Sequence, residues 1–211
     1  MEELTLKSFE EAAEKVKEAT LPTNLVYSEY FSSQTGNRVY LKPENMQYTG
    51  AYKVRGAYYK ISTMSEEARQ KGLITASAGN HAQGVALAAA KNGIKSLICL
   101  PDGAPISKVE ATKGYGAEVC LVEGVYDDAY NKAIQLRDEK GYTFIHPFDD
   151  ENVIAGQGTI GLELLEQLPD ADAVIVPVGG GGLISGVAFA IKQLRPEIKI
   201  YGVQASGAPS M

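Results

Sequence analysis

Three separate segments of the chain contain residue types that bind anions or react as amines. The first is the run Val178-Gly179-Gly180-Gly181-Gly182-Leu183, between an apolar strand-like stretch and an apolar helix-like stretch. Because glycines lack Cβ atoms, the backbone N–H groups of this loop can converge on an anion, helped by the positive end of the following helix. We therefore expect phosphate binding here. A flexible tight turn is the alternative, and a P-loop is excluded because no Gly-Lys-Ser/Thr follows.

The second segment runs from Thr75 to Gly84 and also joins a strand to a helix. Its small residues allow a ligand to come close. Polar groups near a helix N-terminus would suit a carboxylate. These groups belong to Ser77, Asn80, His81 and Gln83. Capping of the helix by Ser77 and Asn80 is an equally good interpretation, and a single histidine here is more often a capping or core residue than a base.

The third segment places Lys53 between Tyr52 and Val54, with two glycines close by. A lysine that is partly desolvated beside the cation Arg55 would have a lowered pKa and hence a neutral, reactive amine. Such an amine forms Schiff bases. The alternative is a surface lysine whose stem lies along apolar groups.

A fourth segment, Gly156-Gln157-Gly158-Thr159-Ile160-Gly161, matches the spacing of the dinucleotide-binding fingerprint. That fingerprint must follow a buried strand, whereas Phe148 to Val153 are acidic and turn-like. We therefore expect close helix packing at these small residues instead.

Hydrophobic periodicity predicts the elements that position these segments. A Ser-x-x-Glu capping box at Ser8 predicts a helix that runs to about Ala19, and Arg38 to Lys42 reads as a strand. Further helices are predicted at about 54–64, 81–92, 106–113, 126–139, 157–166 and 183–194. Further strands are predicted at 73–76, 96–100, 117–122, 142–145, 173–178 and 199–203.

This alternation of strands and helices predicts right-handed crossovers and parallel sheets, an α/β fold. Ligands of such folds bind at the carboxyl ends of the strands, where the three segments lie. The cluster Asp149-Asp150-Glu151-Asn152 is the most linker-like point, so we expect the chain to pass from one lobe to another there.

Composition and charge narrow the function classes. The 211 residues are 45% hydrophobic, as in a globular protein, and their net charge of −6 argues against nucleic acid and anionic membranes as partners. We expect no signal peptide after the start Met-Glu-Glu and no membrane span, because no apolar run approaches about 20 residues. Cys99 and Cys120 lie in apolar stretches and read as buried free thiols, which implies a cytoplasmic protein without a metal site.

Taken together and in this order, the three segments resemble the fold type II pyridoxal-phosphate enzymes, most closely the threonine/serine dehydratases. The resemblance covers about Leu21 to Val203. It places Lys53 on the lysine that forms the Schiff base with the cofactor, Asn80 on the residue that hydrogen-bonds its phenolic oxygen, and Gly179 to Leu183 on its phosphate loop. Ala155 to Thr159 also resembles a stretch of these dehydratases.

Related activities differ at particular side chains. Cysteine-forming sulfhydrylases typically carry Gly-Asn-Thr-Gly where this chain has Gly79-Asn80-His81-Ala82. Serine racemases need an acid-base group where this chain has Ala78, whose methyl group cannot move protons, so elimination is favoured over racemisation. The chain departs from the family at Ala51, where a serine is usual, which removes a hydroxyl near the cofactor.

The resemblance implies deamination of L-threonine to 2-oxobutanoate and ammonia, with L-serine yielding pyruvate, and a place in isoleucine biosynthesis. Lys53 would take the Cα proton, and Ser77, Gly79, Asn80 and His81 would hold the substrate carboxylate. The cofactor phosphate would help the β-hydroxyl to leave. The alternatives are a serine racemase-like relative and a fragment that binds cofactor without turnover.

The resemblance also implies two lobes, each with a mainly parallel open sheet flanked by helices. Residues 1–53 and 151–211 would form part of a large lobe, whose C-terminal portion is missing, and residues 54–150 a small α/β lobe. The full-length protein is expected to be a homo-oligomer.

Overall fold

The computed structural model describes residues 4–211, in which helices and strands alternate. The expectation about a signal peptide falls on Met1, Glu2 and Glu3, which lie outside the described residues. The helices are α1 (Leu6–Val16), α2 (Glu29–Thr35), α3 (Lys53–Ser62), α4 (Glu66–Gln70), α5 (Asn80–Lys91), α6 (Ile106–Gly114), α7 (Tyr126–Lys140), α8 (Glu151–Gln167) and α9 (Gly182–Leu194), with a 3₁₀ turn at Glu44–Met46. The strands are β1 (Val26–Tyr27), β2 (Tyr40–Leu41), β3 (Leu73–Ala76), β4 (Ser96–Pro101), β5 (Glu118–Val122), β6 (Thr143–Phe144), β7 (Ala173–Pro177) and β8 (Lys199–Val203).

The central sheet has four parallel strands in the order β5-β4-β3-β6. Successive residues of β3 point to opposite faces of the sheet. Leu73 packs against α3 and α5 on one face, whereas Ile74 packs against α7 on the other. Because both faces are covered, all four residues of β3 are buried. This confirms the predicted α/β fold with a parallel sheet flanked by helices.

Two smaller sheets complete the described structure. Strands β7 and β8 pair in parallel, and β1 and β2 pair antiparallel. Apolar side chains of α8 and α9, including Ile160 and Val187, pack with Val176 of β7 and Ile198 next to β8. Helix α1 adds Phe9 to the same side of the molecule, where it stacks on Phe189 of α9 with ring centroids 5.0 Å apart.

The N-terminal region differs from the sequence prediction in three respects. Thr5, rather than Ser8, caps α1, and the Ser8 hydroxyl completes the capping box, so the helix begins earlier than predicted and ends at Val16. The strand predicted from Arg38 to Lys42 is only two residues long, and its antiparallel partner β1 was not expected. The two strands were hard to predict because neither contains a buried residue, so no alternating apolar pattern marks them.

The acidic cluster at residues 149–152 is the start of a helix. The Asp150 carboxylate accepts hydrogen bonds from the Asn152 and Val153 N–H groups and so caps α8. The linker interpretation of this cluster is therefore wrong. The division of the chain into lobes at this point stays a prediction.

Cys99 and Cys120 are free thiols that lie opposite each other on β4 and β5. Cys99 is fully buried and Cys120 half-buried; burial, and next the neighbouring Cys120, raise the pKa of Cys99 to about 12. In the described part of the chain, every helix is too short or too polar to cross a membrane.

Candidate active site

Lys53 is the first residue of α3, and its side chain is half-buried. The Nζ atom donates a hydrogen bond of 2.6 Å to the carbonyl oxygen of Pro147. It also lies 5.7 Å from the centroid of the Tyr52 ring and 6.0 Å from that of the Phe148 ring. Lys53 Nζ therefore lies near two aromatic rings and is bound to a backbone carbonyl, so the surface-lysine alternative does not apply.

Burial lowers the pKa of Lys53 from 10.5 to about 8. The direction agrees with the sequence prediction, but the expected contribution of Arg55 is wrong. Arg55 points away from Lys53, since side chains two positions apart on a helix project in nearly opposite directions. Its guanidinium binds Glu44 through Nε at 2.8 Å and Glu163 through Nη1 at 2.5 Å. Desolvation alone favours the neutral Lys53 amine.

The segment from Ser77 to His81 forms the start of α5. Gly79 occupies the N-cap position, and no side chain among residues 4–211 caps this helix. The Ser77 hydroxyl instead accepts a bond of 3.2 Å from the Gly79 N–H, which lies outside the helix. The capping alternative therefore fails for Ser77 and Asn80. The first N–H groups of α5 are free of side-chain partners and can bind an anion.

His81 is buried, and its ring is directed at the loop after β6 rather than at solvent. Its Nε2 lies 3.2 Å from the Ile145 carbonyl oxygen. A carbonyl only accepts, so Nε2 carries the proton and the buried, unpartnered Nδ1 can only accept. Burial, and next the charge of Lys53, lower the pKa of His81 to about 3, so the ring is neutral at pH 7.

The glycine loop leads into α9 as predicted, with Gly181 at the N-cap in the left-handed region at φ 88°. In the part of the chain that the structure describes, no side chain caps α9. A Cβ at Gly180 would lie 2.4 Å from the Phe148 ring, and one at Gly182 would lie 2.7 Å from the Phe148 carbonyl oxygen. The Leu183 side chain packs in the core formed by α8, α9 and β7, so only its backbone N–H is available to a ligand at this loop.

The stretch Ile145 to Phe148, directly after β6, joins the three segments. Ile145 contacts the ring of His81, Pro147 accepts from Lys53, and Phe148 packs on the glycine loop. Sequence reasoning did not select these residues, although the strand predicted at 142–145 ends here, at the carboxyl edge of a parallel sheet. That position was the available signal. The structure thus brings Lys53, the start of α5 and the glycine loop to one place.

Close helix packing sets the position of Lys53. A Cβ at Gly84 of α5 would lie 3.1 Å from the Lys53 carbonyl carbon, and one at Gly156 of α8 would lie 2.6 Å from the Gly56 Cα. The Gln157 side chain accepts a bond of 3.1 Å from the Gly56 N–H. Residues 156–161 therefore pack helices together, as predicted, and do not form a dinucleotide site.

Comparison with known proteins matches residues 16–211 to the family model described as "Pyridoxal-phosphate dependent enzyme". The chain belongs to this family of pyridoxal-phosphate-dependent enzymes. An L-threonine ammonia-lyase of Thermotoga maritima is 52% identical over 208 residues, which are 99% of this chain and 52% of that protein. The catabolic L-threonine dehydratase TdcB of Staphylococcus aureus is 50% identical over 99% of this chain and 60% of its own length.

Solved structures of a threonine deaminase and a serine racemase are also similar to this chain. Threonine deaminase isoform 2 of Solanum lycopersicum, in its processed form, superimposes with a TM-score of 0.92 at 42% identity, over 97% of this chain and 60% of that one. Maize serine racemase superimposes with a TM-score of 0.92 at 39% identity, over 96% and 61%. The chain spans about half to three fifths of the length of these relatives.

The observed groups fit the family's cofactor. Pyridoxal phosphate needs an amine for covalent attachment and donors for its phosphate. Lys53 supplies a half-buried amine, and the uncapped glycine loop supplies backbone N–H groups that a phosphate could accept from. The contacts of both with residues 147–148 place them at the same site.

Proposed function

We propose that this chain carries the cofactor-binding and catalytic core of an L-threonine ammonia-lyase. The reaction converts L-threonine to 2-oxobutanoate and ammonia, with L-serine giving pyruvate as a side activity. The observation that carries the proposal is the meeting of Lys53, the start of α5 and the glycine loop around residues 145–148. The names of the relatives from T. maritima and S. aureus support the substrate.

Two groups would hold the cofactor at its ends. Lys53 Nζ would attach it covalently, and the N–H groups of Gly179, Gly180, Gly181, Gly182 and Leu183 would hold its phosphate. The Asn80 amide, at the start of α5, would donate to the phenolic oxygen. When bound, the cofactor supplies a conjugated ring that spreads the negative charge developing on the substrate Cα.

Lys53 would then act as the base for the Cα proton. The amine is a better base than solvent at this place, and burial keeps a sizeable part of it neutral near pH 8. Departure of the β-hydroxyl and the Cα proton removes one water. Hydrolysis of the resulting free enamine returns one water, so the net products are the 2-oxo acid and ammonia.

The substrate carboxylate would lie at the uncapped start of α5, bound by Ser77, Gly79, Asn80 and His81. For His81 we propose that the backbone N–H makes this contact. Its ring cannot donate there, because Nε2–H is bound to the Ile145 carbonyl oxygen and Nδ1 is an acceptor.

Ala78 separates this proposal from a racemase. It lies between Ser77 and Gly79 and carries no group that could protonate the substrate from the face opposite Lys53. We therefore propose elimination as the main reaction, although maize serine racemase is a structural relative.

A direct assay tests the proposal. The purified chain is incubated with pyridoxal phosphate and L-threonine, and 2-oxobutanoate is measured with lactate dehydrogenase and NADH, with D-threonine as the matched control. Formation of 2-oxobutanoate from the L-isomer alone supports the proposal. Cofactor binding without any product would instead support the second candidate, a fragment that binds cofactor without turnover. The observation that favours this candidate is that the chain spans about half the length of the T. maritima relative.

We further propose that the protein is cytoplasmic and that its full-length form is a homo-oligomer. Two unbonded thiols that face each other on adjacent strands fit a reducing compartment. The oligomeric state rests on the family resemblance, and analytical ultracentrifugation would test it.

A further inference from the structure

Lys108 reaches the candidate active site from a helix that has no role in the proposed function. It lies on α6, and its Nζ donates a hydrogen bond of 3.1 Å to Oδ1 of Asn80, the first residue of α5. The two residues are 28 positions apart in the sequence. The contact therefore depends on how α5 and α6 pack, not on local sequence.

Helix α6 is held in place by two contacts, one beside Lys108 and one at its C-terminal end. Val109, next to Lys108, is 8% exposed and packs in the apolar cluster that also contains α5. At the other end of α6, the Tyr115 hydroxyl donates a bond of 2.7 Å to the carbonyl oxygen of Tyr48. Tyr48 belongs to the loop that leads to Lys53. The backbone carrying Lys108 is thus tied to both α5 and the lysine segment.

The hydrogen-bond partner of Lys108 is an amide and not a carboxylate. Among residues 4–211, no carboxylate lies within ion-pair distance of Lys108. Lys113 on the same helix, by contrast, pairs with Glu110 at 3.0 Å. The Lys108 ammonium is directed instead at a neutral amide oxygen, and an ammonium can only donate.

We propose that Lys108 is a positioning residue that fixes the Asn80 amide for the cofactor. The bond to Lys108 holds Oδ1 toward α6, which leaves the two N–H donors of Nδ2 for the negatively charged phenolic oxygen. A charged donor on Oδ1 also polarises the amide and strengthens donation from Nδ2. This inference rests on the proposed function of Asn80.

A set of variants tests the inference without an activity assay. The dissociation constant of pyridoxal phosphate is measured by equilibrium dialysis, and the visible absorbance of the bound cofactor is titrated with pH. The variants are Lys108→Met, Lys108→Arg, Asn80→Ala, the double variant Lys108→Met/Asn80→Ala, and the control Lys113→Met. Far-UV circular dichroism and urea unfolding of each variant report whether folding is intact.

Lys108→Met should raise the dissociation constant about tenfold, whereas Lys108→Arg should restore most of the affinity and Lys113→Met should have no effect. The double variant should bind no more weakly than Asn80→Ala alone, because Lys108 acts through Asn80. Lys108→Met and Asn80→Ala should also shift the pH midpoint of the absorbance in the same direction, which a purely structural role would not do.

Three results would overturn the inference. If the parent chain binds the cofactor and Lys108→Met binds it within about twofold of the parent, Lys108 has no positioning role. If the effects of the two single variants multiply in the double variant, Lys108 does not act through Asn80. If the parent itself does not bind the cofactor, the proposed function fails, and this inference fails with it.

Discussion

At Lys53, burial changes the acid-base chemistry of a single side chain. The amine lies near the Tyr52 and Phe148 rings, and its pKa falls to about 8 because desolvation disfavours the ammonium. A lowered pKa means that the neutral amine is present at a lower pH in the folded chain than in the unfolded one. The reactivity of Lys53 should therefore depend on folding.

Competitive labelling with acetic anhydride measures this dependence. We expect the labelling rate of Lys53, followed by peptide mass spectrometry, to rise with a midpoint near pH 8 in the folded chain. In the urea-unfolded chain the midpoint should move toward the ordinary value of 10.5. Equal midpoints in the two states would show that burial does not control this amine.

Residue types and spacing made Lys53, Asn80 and the glycine loop candidates, and the family resemblance assigned them to one cofactor site. The sequence pattern did not predict in which direction each side chain points. Arg55 is only two positions from Lys53 in sequence but binds Glu44 and Glu163 on the far side of α3. Pro147 is 94 positions from Lys53, and only the packing of β6 beside β3 brings it near.

At the scale of elements, the junction between β7 and α9 depends on which glycines face Phe148. A Cβ at Gly182 would lie 2.7 Å from the Phe148 carbonyl oxygen, a backbone atom that cannot move alone. A Cβ at Gly179 would meet no atom of the described residues within 4 Å. The two glycines lie in one loop and therefore form a matched pair for substitution.

We predict that Gly182→Ala lowers the free energy of unfolding by about 1–3 kcal/mol, the usual cost of overpacking. Gly179→Ala should change it by less than about 0.5 kcal/mol. Urea denaturation followed by circular dichroism gives both values. A larger loss for Gly179→Ala than for Gly182→Ala would contradict the observed packing of this loop on Phe148.

Periodicity predicted the bounds of several elements closely. Strands β3 and β8 have the predicted bounds, and α5, α7 and α9 differ by one or two residues. Helix α2 was not predicted because only Ser32 of its seven residues is buried, so no apolar stripe marks it. Helix α8 begins six residues before its predicted start, where Asp150 is a cap rather than part of a linker.

At the scale of the whole molecule, a buried ionic cluster ties α3 to α8 and to the N-terminal region. Arg55 is 1% exposed and binds Glu44 and Glu163, and Lys42 also contacts Glu163. Burial works against these charges, but the bonds to Arg55 and Lys42 still hold the pKa of Glu163 below its usual range. The cluster fixes the start of α3, and with it Lys53.

Arg55→Met should therefore lower the free energy of unfolding by about 3–5 kcal/mol, because Glu44 would lose the cation it pairs with and Glu163 would keep only Lys42. The control is Arg38→Met. Arg38 pairs with Asp170 at 2.9 Å, but both side chains are more than half exposed, so its loss should cost less than about 1 kcal/mol. Similar losses for the two variants in urea denaturation would refute a stabilising role of the buried cluster.

The division into lobes at residues 53 and 151 stays a prediction at this scale. Helix α3 begins at the proposed boundary and packs on both α5 and α8. Periodicity did not predict this double contact. Every residue of α3 from Val54 to Tyr59 is buried, so no polar face divides the side that packs on α5 from the side that packs on α8.

Covalent attachment of the cofactor tests the central claim most directly. The chain is incubated with pyridoxal phosphate, reduced with sodium borohydride, digested and analysed by mass spectrometry, with Lys53→Ala as the paired sample. We predict one phosphopyridoxyl group on the peptide containing Lys53, and loss of the visible absorbance in Lys53→Ala. Stoichiometric labelling at another lysine, or unchanged absorbance in Lys53→Ala, would contradict the claim that these three segments form one cofactor site.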